Sequence, residues 1–505
     1  MGFVRIGRGT LWQLIPACHL RIPLLGWDRC LSFQAQMRLY FIGICGTAMG
    51  NVASLMKSLG HTVAGSDRGI YPPMSDVLAG ADIEVHPGWH PENITSFRPD
   101  LVVVGNAVTR GNTEVEFLLT SRPCRFTSLP ELIDRQLLGQ RKRIVVTGTH
   151  GKTTTTAIAA WLLKEAGVQP GWLIGGVPGC LSSGTELGHS QSPFVLEGDE
   201  YDSAFFDKRS KFIHYWPDVL AINNLEFDHV DIFRDLTDVK RTFQHLIRIV
   251  PPLGLILANG DDPVLRELLP VDWAPTCFVG ISESSDYVIG DFSEGPAGSS
   301  FTLTGPAGFH RKFAWKTTGL YNARNASMAL LCAAQSLRKA QRTTFLQNAT
   351  LQHFQGVRRR QDVLWESDHL KVVEDFAHHP TAIAACIESF RNCYPESEIT
   401  SVFEPRSNTS ATNLLEDKFT HSLSLADSVL IAPVYRAEVY PEEKRIDPFQ
   451  MAKCISRVGK RARAYASKEN LFRDLAGSVN RQPRVILLFT NGSFGQPLQD
   501  FLKGL

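Results

Sequence analysis

Ten cysteines are spread through 505 residues without a C-x-x-C pair or a repeated spacing. That absence argues against a zinc ribbon or a disulfide framework and fits reduced thiols in a cytoplasmic protein. No apolar run approaches the roughly 20 residues that a helix needs to cross a bilayer. An excess of charge is missing too. Lys and Arg number 52 against 51 Asp and Glu, for a formal net charge of +1. Nothing electrostatic therefore points to nucleic acid or an anionic membrane as the main partner. Internal repeats and low-complexity tracts are also lacking. Acidic residues are scarce at the start, where Met1–Gln36 carries Arg5, Arg8, Arg21 and Arg29 but a single acid, Asp28. Its apolar stretches are short and no small-residue cleavage site follows them. This segment, 1–36, therefore reads as a disordered extension or an early start rather than a targeting peptide.

What remains is ordinary globular material, 43% hydrophobic and 20% charged. The length implies two to four domains. Strand and helix patterns alternate, which implies a parallel α/β sheet. The apolar run Arg38–Ile44 leads through a glycine turn into a helix near Ala48–Leu59, followed by strands at His61–Ser66 and Leu101–Val104. The pattern repeats with a strand at Arg143–Thr147 and an amphipathic helix near Thr153–Ala166. Buried strands are expected at Phe194–Leu196, Val219–Ile222 and Leu255–Ala258. Gly290–Gly308 reads as turns between short strands. Past Phe354 the pattern restarts with strands at Leu370–Glu374, Ile399–Phe403, Ser428–Ile431 and Val485–Phe489, and a helix near Ala382–Cys393. The expected blocks are 37–140, 141–357 and 358–505.

The most informative motif is Thr147-Gly148-Thr149-His150-Gly151-Lys152-Thr153. Its glycines let successive backbone N–H groups face phosphate oxygens at the positive end of the following helix. Lys152 would reach the β- and γ-phosphates, and the Thr153 hydroxyl would ligate Mg²⁺. The spacing departs from the general phosphate-loop pattern, since Val146 stands at the first glycine position. Two further clusters follow apolar strands: Glu197-Gly-Asp-Glu-Tyr-Asp202, and Asn223-Asn-Leu-Glu-Phe-Asp-His-Val-Asp231. Ligands in parallel sheets gather at the carboxyl ends of strands, and Mg²⁺ takes hard oxygen donors. Either cluster alone would pass for a solvated loop. Together with a phosphate loop they suggest a nucleotide–metal site. The first glycine turn, Gly43-Ile-Cys45-Gly46-Thr-Ala48, fails the dinucleotide fingerprint because Cys45 and Ala48 occupy glycine positions. With Asp67 placed as a ribose-binding acid would be, it reads as a nucleotide-diphosphate site rather than an NAD site.

These motifs resemble those of the Mur ligases, which join amino acids or peptides to UDP-N-acetylmuramic acid. The resemblance runs from Met37 to nearly the C-terminus. Within the family, the runs 197–212, 224–233 and 404–409 are most similar to members that attach the murein tripeptide L-Ala-γ-D-Glu-meso-diaminopimelate to UDP-N-acetylmuramate in cell-wall recycling. The resemblance implies an α/β protein of three domains: a Rossmann-like UDP-binding domain, a central P-loop ATPase domain, and a C-terminal Rossmann-like domain. It implies ATP and Mg²⁺ as cofactors and an acyl-phosphate intermediate. Gly148, Thr149, His150, Gly151, Lys152, Thr153 and Thr154 would hold the phosphates. Thr153, Glu197 and His229 would ligate magnesium. Asn322 and Asn325 match an adenine-binding segment in which Tyr321 replaces a histidine. Arg360 matches an arginine that reaches the γ-phosphate, and Asp375 an aspartate that contacts the ribose. Lys152, Glu197, His229 and Arg360 would thus carry the catalysis. Gly43 and Gly46 would approach the UDP diphosphate, and Arg406 and Asn408 are candidates for peptide carboxylates. Several relatives carry a carbamylated lysine where Phe243 stands here, so none is expected. Two alternatives stay open: a ligase that adds L-alanine to the same sugar nucleotide, and a nucleotide-binding regulator without catalysis.

Overall fold

The structure, a computed structural model, describes residues 36–72 and 74–505. Except for Gln36, the expected extension at 1–36 lies outside the described residues. The first sheet has five parallel strands in the order Glu84–Pro87, Thr62–Asp67, Arg38–Ile42, Leu101–Val104, Arg125–Ser128. Leu39, Tyr40, Phe41 and Ile42 are all fully buried, as befits a central strand covered by helices on both faces.

The second sheet has ten strands. At its centre Val219–Ile222, Arg143–Thr147 and Phe194–Glu197 lie side by side and parallel. Their carboxyl ends therefore deliver three loops to one edge of the sheet, and those loops carry the three motifs. The helix Lys152–Glu165 that follows the first loop is not the amphipathic helix expected. Every residue from Thr153 to Leu163 is buried. The cause is that it packs in one apolar cluster with the helix Leu320–Ser336, so neither flank meets water. The glycine-rich stretch at 290–308 also departs from expectation. It belongs to an antiparallel meander of three substantial strands, Tyr287–Gly295, Gly298–Gly305 and Phe309–Trp315. Ile289, Phe301, Leu303, Phe313 and Trp315 supply its buried face, which outweighs the low strand propensity of the glycines.

The third sheet has six strands, with Asp362–Glu366 as an antiparallel edge. Leu370–Asp375, Arg484–Phe489 and Glu398–Phe403 are its parallel centre. Their carboxyl ends bring Asp375, Thr490–Gly492 and Glu404–Arg406 together, facing the second sheet's loops. Among the described residues no helix is long and apolar enough to cross a membrane.

Candidate active site

A cleft of about 1,730 Å³ runs between the three sheets and is lined by residues from all of them. That exceeds the usual 300–1,000 Å³ of a site for one small ligand, leaving room for two. Lys152, Thr153, Glu197, His229, Asn322, Asn325, Arg360, Asp375, Gly46, Arg406 and Asn408 all line it. Gly43 and Asp67 do not.

The phosphate loop is held by its neighbour rather than by its own turn alone. The His150 N–H donates to Asn224 Oδ1 at 2.8 Å, and the Glu226 N–H donates to Thr149 Oγ1 at 2.9 Å. Gly151 has φ +79°, and a Cβ there would stand 2.5 Å from Asn325 Oδ1. Only glycine fits that close approach. Thr154 follows in the buried first turn of the helix. The His150 ring turns away from the loop, towards Glu226 and His379.

Lys152 Nζ lies 2.9 Å from Glu200 Oε2 and 2.7 Å from the Gly148 carbonyl. Glu200, 4% exposed, also meets His229 Nε2 at 2.9 Å. Burial works against the Lys152 charge, but the carboxylates of Glu200, Asp199 and Glu197 outweigh it and leave its pKa raised. His229 follows the same logic: burial disfavours its cation, and the hydrogen bond and charge of Glu200 raise it nonetheless. Asp199 pairs with Lys211 at 2.5 Å. Burial pushes its carboxyl up, but Lys211 and Lys152 hold it at about 2.

The expected metal set is only partly assembled. Thr153 Oγ1 donates to Glu197 Oε1 at 2.9 Å, and the Gly175 N–H donates to Glu197 Oε2 at 2.7 Å. His229 instead faces Glu200. The reason lies in its backbone: His229 sits at φ +55°, with its N–H donated to Asp228 Oδ1 and Thr409 Oγ1. Phe243, where relatives carry the modified lysine, is buried against Phe212, and Lys240 reaches Glu267 at 2.6 Å.

From the third sheet's side, Arg360 Nη2 donates to Thr153 Oγ1 at 3.2 Å. Its neighbours Arg359 and Gln361 both sit at positive φ, +63° and +51°. Such left-handed residues are costly and persist where the surroundings over-determine them; here they aim one arginine across the junction. Phe376 supports it, with the Arg360 guanidinium carbon 4.5 Å from the ring centroid. Asp375 Oδ2 accepts from the Gln361 N–H at 2.8 Å and Oδ1 from the Ala377 N–H at 2.8 Å. Burial raises its pKa more than Arg360 lowers it. Asn325 Nδ2 donates to Asn322 Oδ1 at 3.2 Å, and Asn322 Nδ2 to the Thr318 carbonyl at 2.8 Å. Gln361 Nε2 donates to the Tyr321 hydroxyl at 2.7 Å, so the substituted tyrosine is part of the same junction.

Asp67 holds the first glycine turn instead of facing the cleft. Its two oxygens accept from the Cys45 and Gly69 N–H groups, each at 2.9 Å. Gly43, at φ +84°, shapes that turn from behind. Arg406 stacks on Tyr435 with its guanidinium 3.8 Å from the ring centroid, in space that a Cβ at Gly492 would fill. Asn408 Oδ1 accepts from the Tyr440 hydroxyl at 2.8 Å.

Glu200 and Gln361 were not singled out from sequence. Glu200 lies inside the acidic run, but which of its four carboxylates turns to Lys152 depends on a loop without periodicity. Gln361 follows Arg360 directly, and only its positive φ marks it.

Three family profiles match in order: Mur ligase family, catalytic domain, at 38–133; Mur ligase middle domain at 146–333; and Mur ligase, glutamate ligase domain, at 359–492. The chain is 38% identical over 472 residues to the UDP-N-acetylmuramate–L-alanyl-γ-D-glutamyl-meso-2,6-diaminoheptandioate ligase of Escherichia coli K12, covering 93% of this chain and 98% of that one. Among solved structures, a murein peptide ligase from Psychrobacter arcticus is similar at TM-score 0.67 and 32% identity, over 93% of this chain and 98% of its own. A UDP-N-acetylmuramate–alanine ligase from Thermotoga maritima shares the fold at TM-score 0.72 and 23% identity, over 93% and 99%.

Proposed function

The chain belongs to the Mur ligase family, and we propose that within it this enzyme joins L-alanyl-γ-D-glutamyl-meso-diaminopimelate to UDP-N-acetylmuramate, using ATP. The observation that carries this reading is the hydrogen bond from Arg360 to Thr153, which brings an arginine of the 359–492 segment onto the phosphate loop. Likeness over nearly the whole length to curated ligases named for this tripeptide supports the choice of substrate. The domains would divide at 140/141 and 357/358, and the reaction would take place in the cytoplasm.

The lactyl carboxylate of the sugar nucleotide attacks the γ-phosphorus, forming an acyl phosphate and releasing ADP. The α-amine of the tripeptide then adds to the acyl carbon, loses a proton, and phosphate departs. Lys152 gives up Glu200 to hold the transferring phosphoryl oxygens, and Arg360 neutralises charge from the opposite side. Asn322 and Asn325 receive the adenine and Asp375 the ribose. Gly46, on the cleft wall, admits the UDP diphosphate, with Gly43 and Asp67 shaping the loop behind it. Arg406 and Asn408, from the far wall, meet the peptide's carboxylates. Closure of the C-terminal domain aligns the reactants and excludes water.

Thr153 and Glu197 offer hard oxygens 2.9 Å apart, and a Cβ at Gly176 would press within 2.9 Å of Thr153 Cγ2. This donor set fits magnesium, and His229 would join it once released from Glu200. When bound, the ion would neutralise phosphate charge. Phosphate release with UDP-N-acetylmuramate, ATP and Mg²⁺ tests the reading. Turnover is expected with the tripeptide and not with L-alanine; turnover with L-alanine alone would overturn the substrate, and turnover with neither would favour a regulator.

A further inference from the structure

We propose that His150, Glu226 and His379 form a transition-metal site that ties the C-terminal domain to the phosphate loop, separate from the Thr153–Glu197 pair. The three come from the phosphate loop, the loop after Val219–Ile222, and the residue that precedes the helix Pro380–Cys393. His150 Nε2 is 3.5 Å from Glu226 Oε1, and His379 Nδ1 is 3.5 Å from Glu226 Oε2. One ligand atom from each residue lies within 4.8 Å of the other two.

Both ring nitrogens are buried without a hydrogen-bond partner. His379, 3% exposed, uses its other nitrogen, Nε2, on the Phe227 carbonyl at 3.3 Å. A carbonyl only accepts, so the proton sits on Nε2 and Nδ1 presents a lone pair to the carboxylate. A lone pair facing an anion in a buried pocket is unfavourable unless a cation stands between them. Thr381 Oγ1 donates to Glu226 Oε2 at 2.6 Å, orienting the carboxylate as second-sphere partners of metal ligands do. Two imidazoles and a carboxylate select zinc or a similar borderline ion over magnesium. Ligand bonds of about 2.0–2.2 Å need only a modest contraction of the cluster. All three residues line the cleft, which leaves a fourth position open to it. Because His379 is the C-terminal domain's ligand, the ion would hold the domains together and slow reopening.

The full chain, freed of metal with a chelator and kept in excess Mg²⁺, is titrated with Co²⁺ and then Zn²⁺. One equivalent of Co²⁺ should give an intense visible d–d absorption that Zn²⁺ abolishes. His379→Ala and Glu226→Gln should each weaken Co²⁺ binding at least about tenfold, with circular dichroism unchanged. His379→Cys should restore binding and add a sulfur-to-cobalt charge-transfer absorption. His229→Ala should keep the original absorption. Absence of saturable Co²⁺ binding overturns the proposal. So does an absorption that survives His379→Ala but is lost in His229→Ala, which would place the ion at the magnesium set. Neither result bears on ligase turnover, so this test and the substrate assay fail independently.

Discussion

Replacing Glu200 by glutamine keeps its shape and removes the charge that Lys152 faces. The Lys152 ammonium lies 2.9 and 3.0 Å from the two Glu200 oxygens. At that distance an effective dielectric of about 20 gives roughly 5–6 kcal/mol of attraction. Burial of the pair is deep, with side-chain exposures of 14% and 4%, so water screens little of it. Removing one partner of such a pair typically costs about 3–5 kcal/mol. Asp199 and Glu197 still contribute to holding the lysine charged, which places the expected loss near the lower figure, about 3 kcal/mol. Bound nucleotide changes the balance, because its phosphates supply the negative charge that the substituted amide lacks. If roughly 2 kcal/mol is recovered that way, linkage requires the Glu200→Gln variant to bind ADP about 30-fold more tightly than the wild type. Urea unfolding without nucleotide and calorimetric titration with Mg-ADP measure the two halves. A variant as stable as the wild type, or one that binds ADP more weakly, would refute the view that Glu200 acts as a stand-in for phosphate.

Three further outcomes follow from the same geometry. Arg360→Lys loses the planar fork that reaches Thr153 and should lower kcat about 100-fold with a smaller change in KM for ATP; steady-state phosphate release checks it, and an unchanged kcat would remove Arg360 from the reaction. Gly151→Ala forces a side chain into φ +79° against Asn325, so ADP affinity should fall at least about tenfold by calorimetry, from a strain of roughly 1–2 kcal/mol before the clash is counted. His61 is buried, and desolvation lowers its pKa below the ordinary 6.5; its Nδ1 accepts the Met37 N–H at 3.2 Å. Below about pH 6.5 the unfolded chain therefore takes up a proton that the folded chain resists, so its contribution to stability is present at neutral pH and lost as pH falls, by at most about 1.4 kcal/mol per pH unit. Hydrogen exchange in the strand Arg38–Ile42 should accelerate between pH 6.5 and 5 beyond its intrinsic pH trend, and less so in His61→Asn.

The central strands could be read from sequence because buried parallel strands are continuous apolar runs, as in Val219–Ile222 and Leu101–Val104. Edge strands were less legible. Glu84–Pro87 and Thr185–Glu186 are short, and the first carries proline, and the meander at 287–315 hides its alternation behind glycines. The site divides along the same line. Glu197 ends a strand, and Lys152 and Thr153 open the helix one short loop beyond another, where chain order and spatial order agree. Asp67 stands at the expected separation from its glycine turn, yet its carboxylate is consumed by the Cys45 and Gly69 amides. His150, Glu226 and His379 meet only because two sheets face each other. No local spacing reports that, and no spacing shows that His229 turns to Glu200 rather than to Glu197.

The central claim, that the carboxylate is activated as an acyl phosphate and captured by the tripeptide, is tested most directly with UDP-N-acetylmuramate carrying ¹⁸O at both oxygens of its lactyl carboxylate. With ATP, Mg²⁺ and the tripeptide, mass spectrometry should find the UDP-muramoyl tripeptide and one ¹⁸O atom in each released phosphate. Product formation with unlabelled phosphate would contradict the account.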